Sequence, residues 1–223
     1  MAQRTIHMLF AIKLAQSLEL RDTNRFYFGS ILPDSYTYTD NRQAAHYHSH
    51  FVKTLNGGTR AYFDFRDYFL KYRELVISDE LYLGYYAHLI EDAFYRHFLY
   101  NEKDMQELIK SHELKVLHGD YHILNYYIST KYSLPSHISL PEGFENEPVN
   151  EISSFDTDKL IRDYHDDISE THDEKTVILT EDILEEFIAR YLDIALAELS
   201  AAHSGSPCLE PENYIFIRKT DRA

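Results

Sequence analysis

The sequence predicts an all-α fold, a single domain over 1–223 built as a bundle of about seven helices, and three observations predict it. Gly and Pro are scarce, 7 and 6 in 223 residues, so few tight hairpins can be built. Apolar residues make up 44% of the chain, enough for a sizeable core. Apolar spacing of three and four dominates the chain.

The elements follow in order. Over 5–20, His7, Ala11, Leu14 and Leu18 share a face with Phe10 beside them, which predicts an amphipathic first helix. Over 21–41, FGSILPDSYTYTD with Gly29 and Pro33 predicts an irregular loop. A second helix is expected over 42–55, stopped by Asn56-Gly57-Gly58. Another is expected from near Ala61 to just before Ser78. Ser78, followed by Asp79 and Glu80, reads as the N-cap of a long helix over 79–100. Over 103–131, Leu114, Leu117, Tyr121, Leu124 and Ile128 form a core stripe. Three prolines make 131–155 a surface loop. Helices are expected over 156–170 and, capped by Thr180, from there to about 202. The tail, 203–223, contains YIFIR, a short strand or docking segment.

Charge and cysteine usage exclude several function classes. A formal net charge of −15 repels a phosphate backbone, so no nucleic-acid partner is expected. Anionic membrane surfaces are repelled too, and no basic amphipathic helix compensates. MAQRTIHMLFAIKLAQSLEL has no unbroken apolar stretch of the signal-peptide kind, which leads to the expectation of a cytoplasmic protein without stable membrane anchoring. One cysteine, Cys208, excludes an internal disulfide framework and a thiolate-rich zinc site.

The chemistry concentrates in GYYAHLIEDAFYRHFLY, from Gly84 to Tyr100. His88 and Asp92 lie four residues apart, about 40° from each other around a helix. Such a pair either satisfies itself in a core or supplies two ligands to one metal ion. Gly84, one turn earlier, clears space beside the imidazole. His7 stands on the apolar face of the first helix, and Asp34 follows Pro33 in the loop. HYHSHF places three histidines in five residues; if helical, His46 and His50 share a face.

The order of TIHMLFAI, FYFGSILPDS, HYHSHF and LGYYAHLIEDAF resembles the zinc-dependent phospholipase C family, all-α enzymes related in fold to zinc-dependent single-strand nucleases. The resemblance covers roughly 5–130. It implies a metal site between helices, with Asp34, His50, His88 and Asp92 as ligands of one zinc and His7 holding a second that Asp92 leans toward. It also implies Asp34 as the group that deprotonates the attacking water, whose pKa zinc lowers toward about 7. Secreted members add a mature N-terminal amine carried on a Trp. This sequence has no Trp, so one or two zinc ions are expected.

His97 is the next family ligand in order, but nine residues from His88 places it about 180° away unless the helix ends or bends near Arg96. HGDYHILNYY offers His118 and Asp120 on either flank of its core stripe. Asp120 reads as an auxiliary ligand, a partner for a ligand histidine, or a hydrogen-bonding residue to a neighbouring helix. His165-Asp166 and His172-Asp173 resemble the doublets of HD-type phosphohydrolases, yet HDDISETHDE is nearly all polar and reads as a solvated acidic face. No nucleophile elbow or phosphate-cradling glycine loop is present.

Two functions follow from different classes. One is a zinc-dependent hydrolase acting on a small phosphoester or lipid headgroup. The other is a helical scaffold that keeps the metal, or only buried His–Asp pairs, for stability. The scaffold predicts a closed site filled by Tyr36, Tyr38 and Tyr95.

Overall fold

The computed structural model describes residues 2–36, 42–111 and 114–217. The fold is all-α apart from one small sheet. Among the described residues the order is α1 (Arg4–Ala15), α2 (Thr23–Ile31), a 3-10 turn (Leu32–Ser35), α3 (Arg42–Ser49), β1 (Val52–Leu55), β2 (Arg60–Phe63), α4 (Phe65–Ser78), α5 (Glu80–His97), α6 (Gln106–Ser111), α7 (Leu114–Lys131), α8 (Thr157–Ser169), α9 (Glu181–His203) and β3 (Phe216–Ile217). No helix of the described residues is long and apolar enough to cross a membrane.

Short polar side chains start the helices by accepting the first free backbone N–H groups. Asp22 caps α2, Asp64 caps α4, Asp79 caps α5, Asp156 caps α8 and Thr180 caps α9. The cap of α5 is therefore Asp79, through Leu81 N–H at 2.8 Å, rather than Ser78, which ends α4. The helix at its centre, α5, carries apolar side chains on all faces and is buried all round from Glu80 to Tyr95. It packs against α1, α2, α4 and α9.

Several expectations differ from the structure. The 21–41 segment is not all loop, because its first part forms α2 and the 3-10 turn. Helix α2 buries Phe26, Phe28 and Ile31 in the core and meets α5 at a backbone-to-backbone crossing. A Cβ on Gly84 would stand 2.2 Å from Phe26 O, and one on Gly29 would stand 2.1 Å from Leu81 O. Gly84 therefore makes room for α2, not for the imidazole of His88.

The expected 42–55 helix stops at Ser49, and α1 likewise ends at Ala15 rather than near Leu20. Asn56 and Gly57, with φ of 51° and 64°, turn a β-hairpin in which Leu55 pairs with Arg60. Positive φ at an Asn-Gly pair serves a helix stop and a hairpin equally, and β1 and β2 are too short to show alternation. The hairpin in turn moves the start of the next helix from Ala61 to Phe65. In the tail, Phe216 pairs with Ala61, so part of YIFIR is the third strand. Over 103–131 the described residues form α6 and α7, with 112 and 113 outside them.

Asp120 has a structural task. Its carboxylate accepts from the backbone N–H groups of Val177, Ile178 and Leu179 at 2.8, 2.6 and 2.9 Å, fastening the segment before α9 to α7. Nearby Asn125 accepts from the Thr5 hydroxyl of α1. Asp120→Ala is expected to lower stability by roughly 2–4 kcal/mol, since hydrogen bonds to a charged group are each worth about 1.5–3 and are not additive. Chemical denaturation checks the loss. Unchanged metal content in the same variant would separate this role from that of a ligand.

Candidate metal centre

Four chain segments bring five polar side chains together. His7 comes from the middle of α1, Asp34 from the 3-10 turn after α2, His50 from the residue after α3, and His88 and Asp92 from α5. All but Asp34 are fully buried, and Asp34 keeps 10% side-chain exposure. The local structure aims each one. The α2–α5 crossing puts Ser30 O 2.8 Å from His88 Nδ1, so that nitrogen donates and Nε2 is left with its lone pair. His7 Nδ1 lies 2.9 Å from Glu91 Oε2. His50 Nδ1 meets Ser49 Oγ at 2.7 Å and His46 O at 3.2 Å. Tyr85 holds the end of α3 in place by donating to Ser49 O at 2.5 Å. Phe51, with φ at 51°, then turns the chain into the hairpin.

The inward-facing atoms are nearly all acceptors. His50 Nε2 is 3.2 Å from Asp34 Oδ1, 3.2 Å from His88 Nε2 and 3.7 Å from Asp92 Oδ2. His88 Nε2 is 3.9 Å from Asp92 Oδ2. On the other side, His7 Nε2 is 3.8 Å from both Asp34 Oδ2 and Asp92 Oδ1. Each of the two aspartates thus turns one oxygen toward His7 and the other toward His50. The rings of His7 and His88 stack with centroids 3.9 Å apart. Asp92 Oδ1 also accepts from Ala2 N–H at 3.1 Å.

This arrangement fits a metal ion. His7 Nε2, Asp34 Oδ1 and Asp92 Oδ2 are buried and have no hydrogen-bond partner. Leaving such groups unmade inside a protein is costly unless a cation sits among them. Bonds of about 2.0–2.1 Å to zinc give tetrahedral edges of about 3.3 Å, close to the spacings around His50 Nε2. His7–Asp34–His88 and His50–His88–Asp92 each bring one ligand atom per residue within 4.8 Å of the others.

The electrostatics agree with the geometry. Burial opposes charge on His7, but Glu91, Asp92 and Asp34 outweigh it and raise its pKa to about 9. Burial, together with His7, pushes His88 down to about 3, so it stays a neutral lone-pair donor. Burial also pushes Glu91 up. Against burial, His50 at 3.2 Å, and with it His88 and His7, hold Asp34 well below the usual carboxylate range. His7 therefore carries positive charge among Glu91, Asp92 and Asp34, a place that a metal ion would take on displacing its proton.

The structure brings together His7, Asp34, His50, His88 and Asp92, and it keeps the other three sequence candidates apart from them. His97 ends α5 and turns to Glu102, 3.7 Å away, and to the ring of Tyr214. A π-helical turn, Phe98–Glu102, follows it without returning it to the face of His88. His118 is exposed on α7, and Asp120 is occupied by three backbone N–H groups. Neither belongs to a ligand group of the centre.

Glu91 was missing from the sequence reading. It stands three residues after His88 on the same helix face, so helical spacing alone would have found it. His46 lies beside the centre, its Nδ1 3.0 Å from His50 Nδ1, and burial lowers its pKa to about 2. Of the side chains a closed site would use, Tyr36 lies against the rings of His46 and His50 at 5.9 and 6.2 Å. Tyr95 packs edge-on to Phe187, and Tyr38 lies outside the described residues.

A family model described as zinc dependent phospholipase C matches residues 6–201. The match runs beyond the segments that carry the resemblance in sequence and takes in α7, α8 and most of α9. No curated protein and no solved structure matches the chain.

Proposed function

Since the chain belongs to the zinc-dependent phospholipase C family, we propose that it is a zinc-dependent hydrolase of phosphoesters. Asp34, His50, His88 and Asp92 would hold one zinc, and His7 a second together with the other oxygen of Asp92. The observation that carries this reading is the convergence of buried nitrogen and oxygen atoms, among which His7 Nε2, Asp34 Oδ1 and Asp92 Oδ2 have no hydrogen-bond partner. When bound, zinc acidifies a water and screens the charge of a phosphoester.

The chain's own residues do the rest. Ser30 O, Glu91 and the Ser49–His46 pair lock the tautomers of His88, His7 and His50, as partners of metal-binding imidazoles commonly do. Asp34 is the one of the five with side-chain exposure, so it can reach both the buried atoms and an incoming water. Asp34 therefore accepts the proton of the attacking water at a carboxylate oxygen. A net charge of −15 favours a small phosphoester or a zwitterionic headgroup over an anionic membrane surface.

Elemental analysis of protein purified without chelator or metal-affinity tag tests this. The expected result is one or two zinc ions per chain, with hydrolysis of chromogenic phosphodiesters or phosphomonoesters lost on chelation and restored by zinc. Zinc retention without hydrolysis of any phosphoester would favour a structural metal. Protein that takes up no metal when zinc is offered would sink the enzyme reading.

A further inference from the structure

A second convergence of metal-binding side chains lies on the solvent face of α7 and shares no residue with the centre above. His122 projects from α7, while Glu170 and His172 stand in the connector between α8 and α9, some fifty positions later in the chain. We propose that His122, Glu170 and His172 form a surface site for a divalent transition-metal ion, zinc being the probe, which fastens the α8–α9 connector to α7.

Four observations support it. His122 Nδ1 lies 2.7 Å and His172 Nε2 3.4 Å from the same atom, Glu170 Oε2, and the rings face each other with centroids 6.1 Å apart. Two imidazoles and one carboxylate are a common zinc donor set; 3.4 Å is close to the tetrahedral edge of about 3.3 Å, and the 2.7 Å hydrogen bond of His122 would open to that spacing on taking up an ion. His172 Nδ1 is 3.4 Å from Glu174 Oε2, so it can keep its proton facing that carboxylate and leave the Nε2 lone pair for an ion. Side-chain exposures of 47, 37 and 26% leave the cluster open to an ion from solution and to water as remaining ligands. His172 and Glu174 also border a cavity of about 360 Å³ walled by Tyr126, Tyr127 and Lys131.

The connector needs such a fastening. Between Glu170 and Thr180 there is no regular secondary structure, and its residues up to Val177 are exposed or half-buried. Its far end is tied by Asp120, two positions before His122 on α7. An ion at His122 would tie the near end to the same turn of the same helix. The HDDISETHDE stretch thus gains its metal-binding partner from a helix far away in sequence, not from its own His-Asp doublets.

Limited proteolysis supplies the test, because Lys175 sits exposed in the connector. Full-length chelator-stripped protein is digested with trypsin with and without zinc, beside His122→Ala and His172→Ala, substitutions at positions outside the core. With zinc about tenfold above its dissociation constant, cleavage after Lys175 is expected to slow about tenfold in the wild type. Both variants should be cut at the metal-free rate and should bind one zinc fewer per chain. Equal protection of all three proteins would assign the effect to the buried centre and overturn the proposal. Unprotected wild type would overturn it too and return the segment to a solvated acidic face.

Discussion

Asp92→Asn is expected to abolish metal retention and phosphoester hydrolysis while leaving the fold in place. The substitution keeps the size of the side chain, and an amide oxygen can still accept from Ala2 N–H, 3.1 Å from Asp92 Oδ1 in the wild type. What it removes is the charge that faces His7 with one oxygen and His50 and His88 with the other. Changing a partner that only orients a ligand costs roughly 10–100-fold in metal affinity or activity, so losing a ligand shared by two ions should exceed about 100-fold in both. Elemental analysis and phosphoesterase assays read the loss, and far-UV circular dichroism reads the fold. A variant that kept its zinc and its rate would remove Asp92 from the centre.

Gly84→Ala is expected to damage the molecule more than any other single methyl group on α5. In an ordinary helix the change is favourable by about 1 kcal/mol. Here the new methyl would lie 2.2 Å from Phe26 O and 3.0 Å from both Phe26 C and Ser30 N, all backbone atoms that no rotamer change can move. Helix α2 would have to back away, and with it Ser30 O, which orients His88. Overpacking of this kind commonly costs 1–3 kcal/mol; with no side chain able to yield, about 3 is expected, or roughly 6–12 °C in Tm. Gly119→Ala is the control. It also lies inside a helix, but nothing stands within 4 Å of its added carbon, so a gain of about 0.5–1 kcal/mol is expected. Calorimetry on the two variants decides the matter: a Gly84→Ala protein as stable as the wild type would mean the crossing is looser than the structure has it.

Much of the scaffold was legible because α7, α8 and α9 carry their burial as a periodic pattern and α5 is a long, nearly continuous apolar run. Helix α2 was not, because it is short, its Gly29 and the Pro33 after it read as loop signals, and no local spacing encodes the distant backbone that Gly29 meets. The hairpin was hidden for a different reason, since Asn56-Gly57 marks positive φ without saying which element precedes it. At the centre, motif order was enough to gather His7, Asp34, His50, His88 and Asp92. The same order gave no weight to Glu91, which sits inside a quoted motif but faces a histidine from another helix. Asp120 and His122 show the converse. Their segment was noticed for its polar residues, but the partners of both lie in the 170–179 connector, where the sequence shows only acidity.

The centre gathers its side chains from four segments that begin at α1 and end at α5, so it joins positions separated by most of the first half of the chain. An ion seated there acts as a reversible cross-link closing several nested loops at once. The closure cost of such loops grows only slowly with their length, so long spans are penalised little more than short ones. The consequence is for the order of events during folding. In the proposed assignment Asp34, His50, His88 and Asp92 can take an ion without α1, but the ion at His7 cannot be held until the N-terminal helix has docked, which makes capture of that ion a reporter of α1 docking.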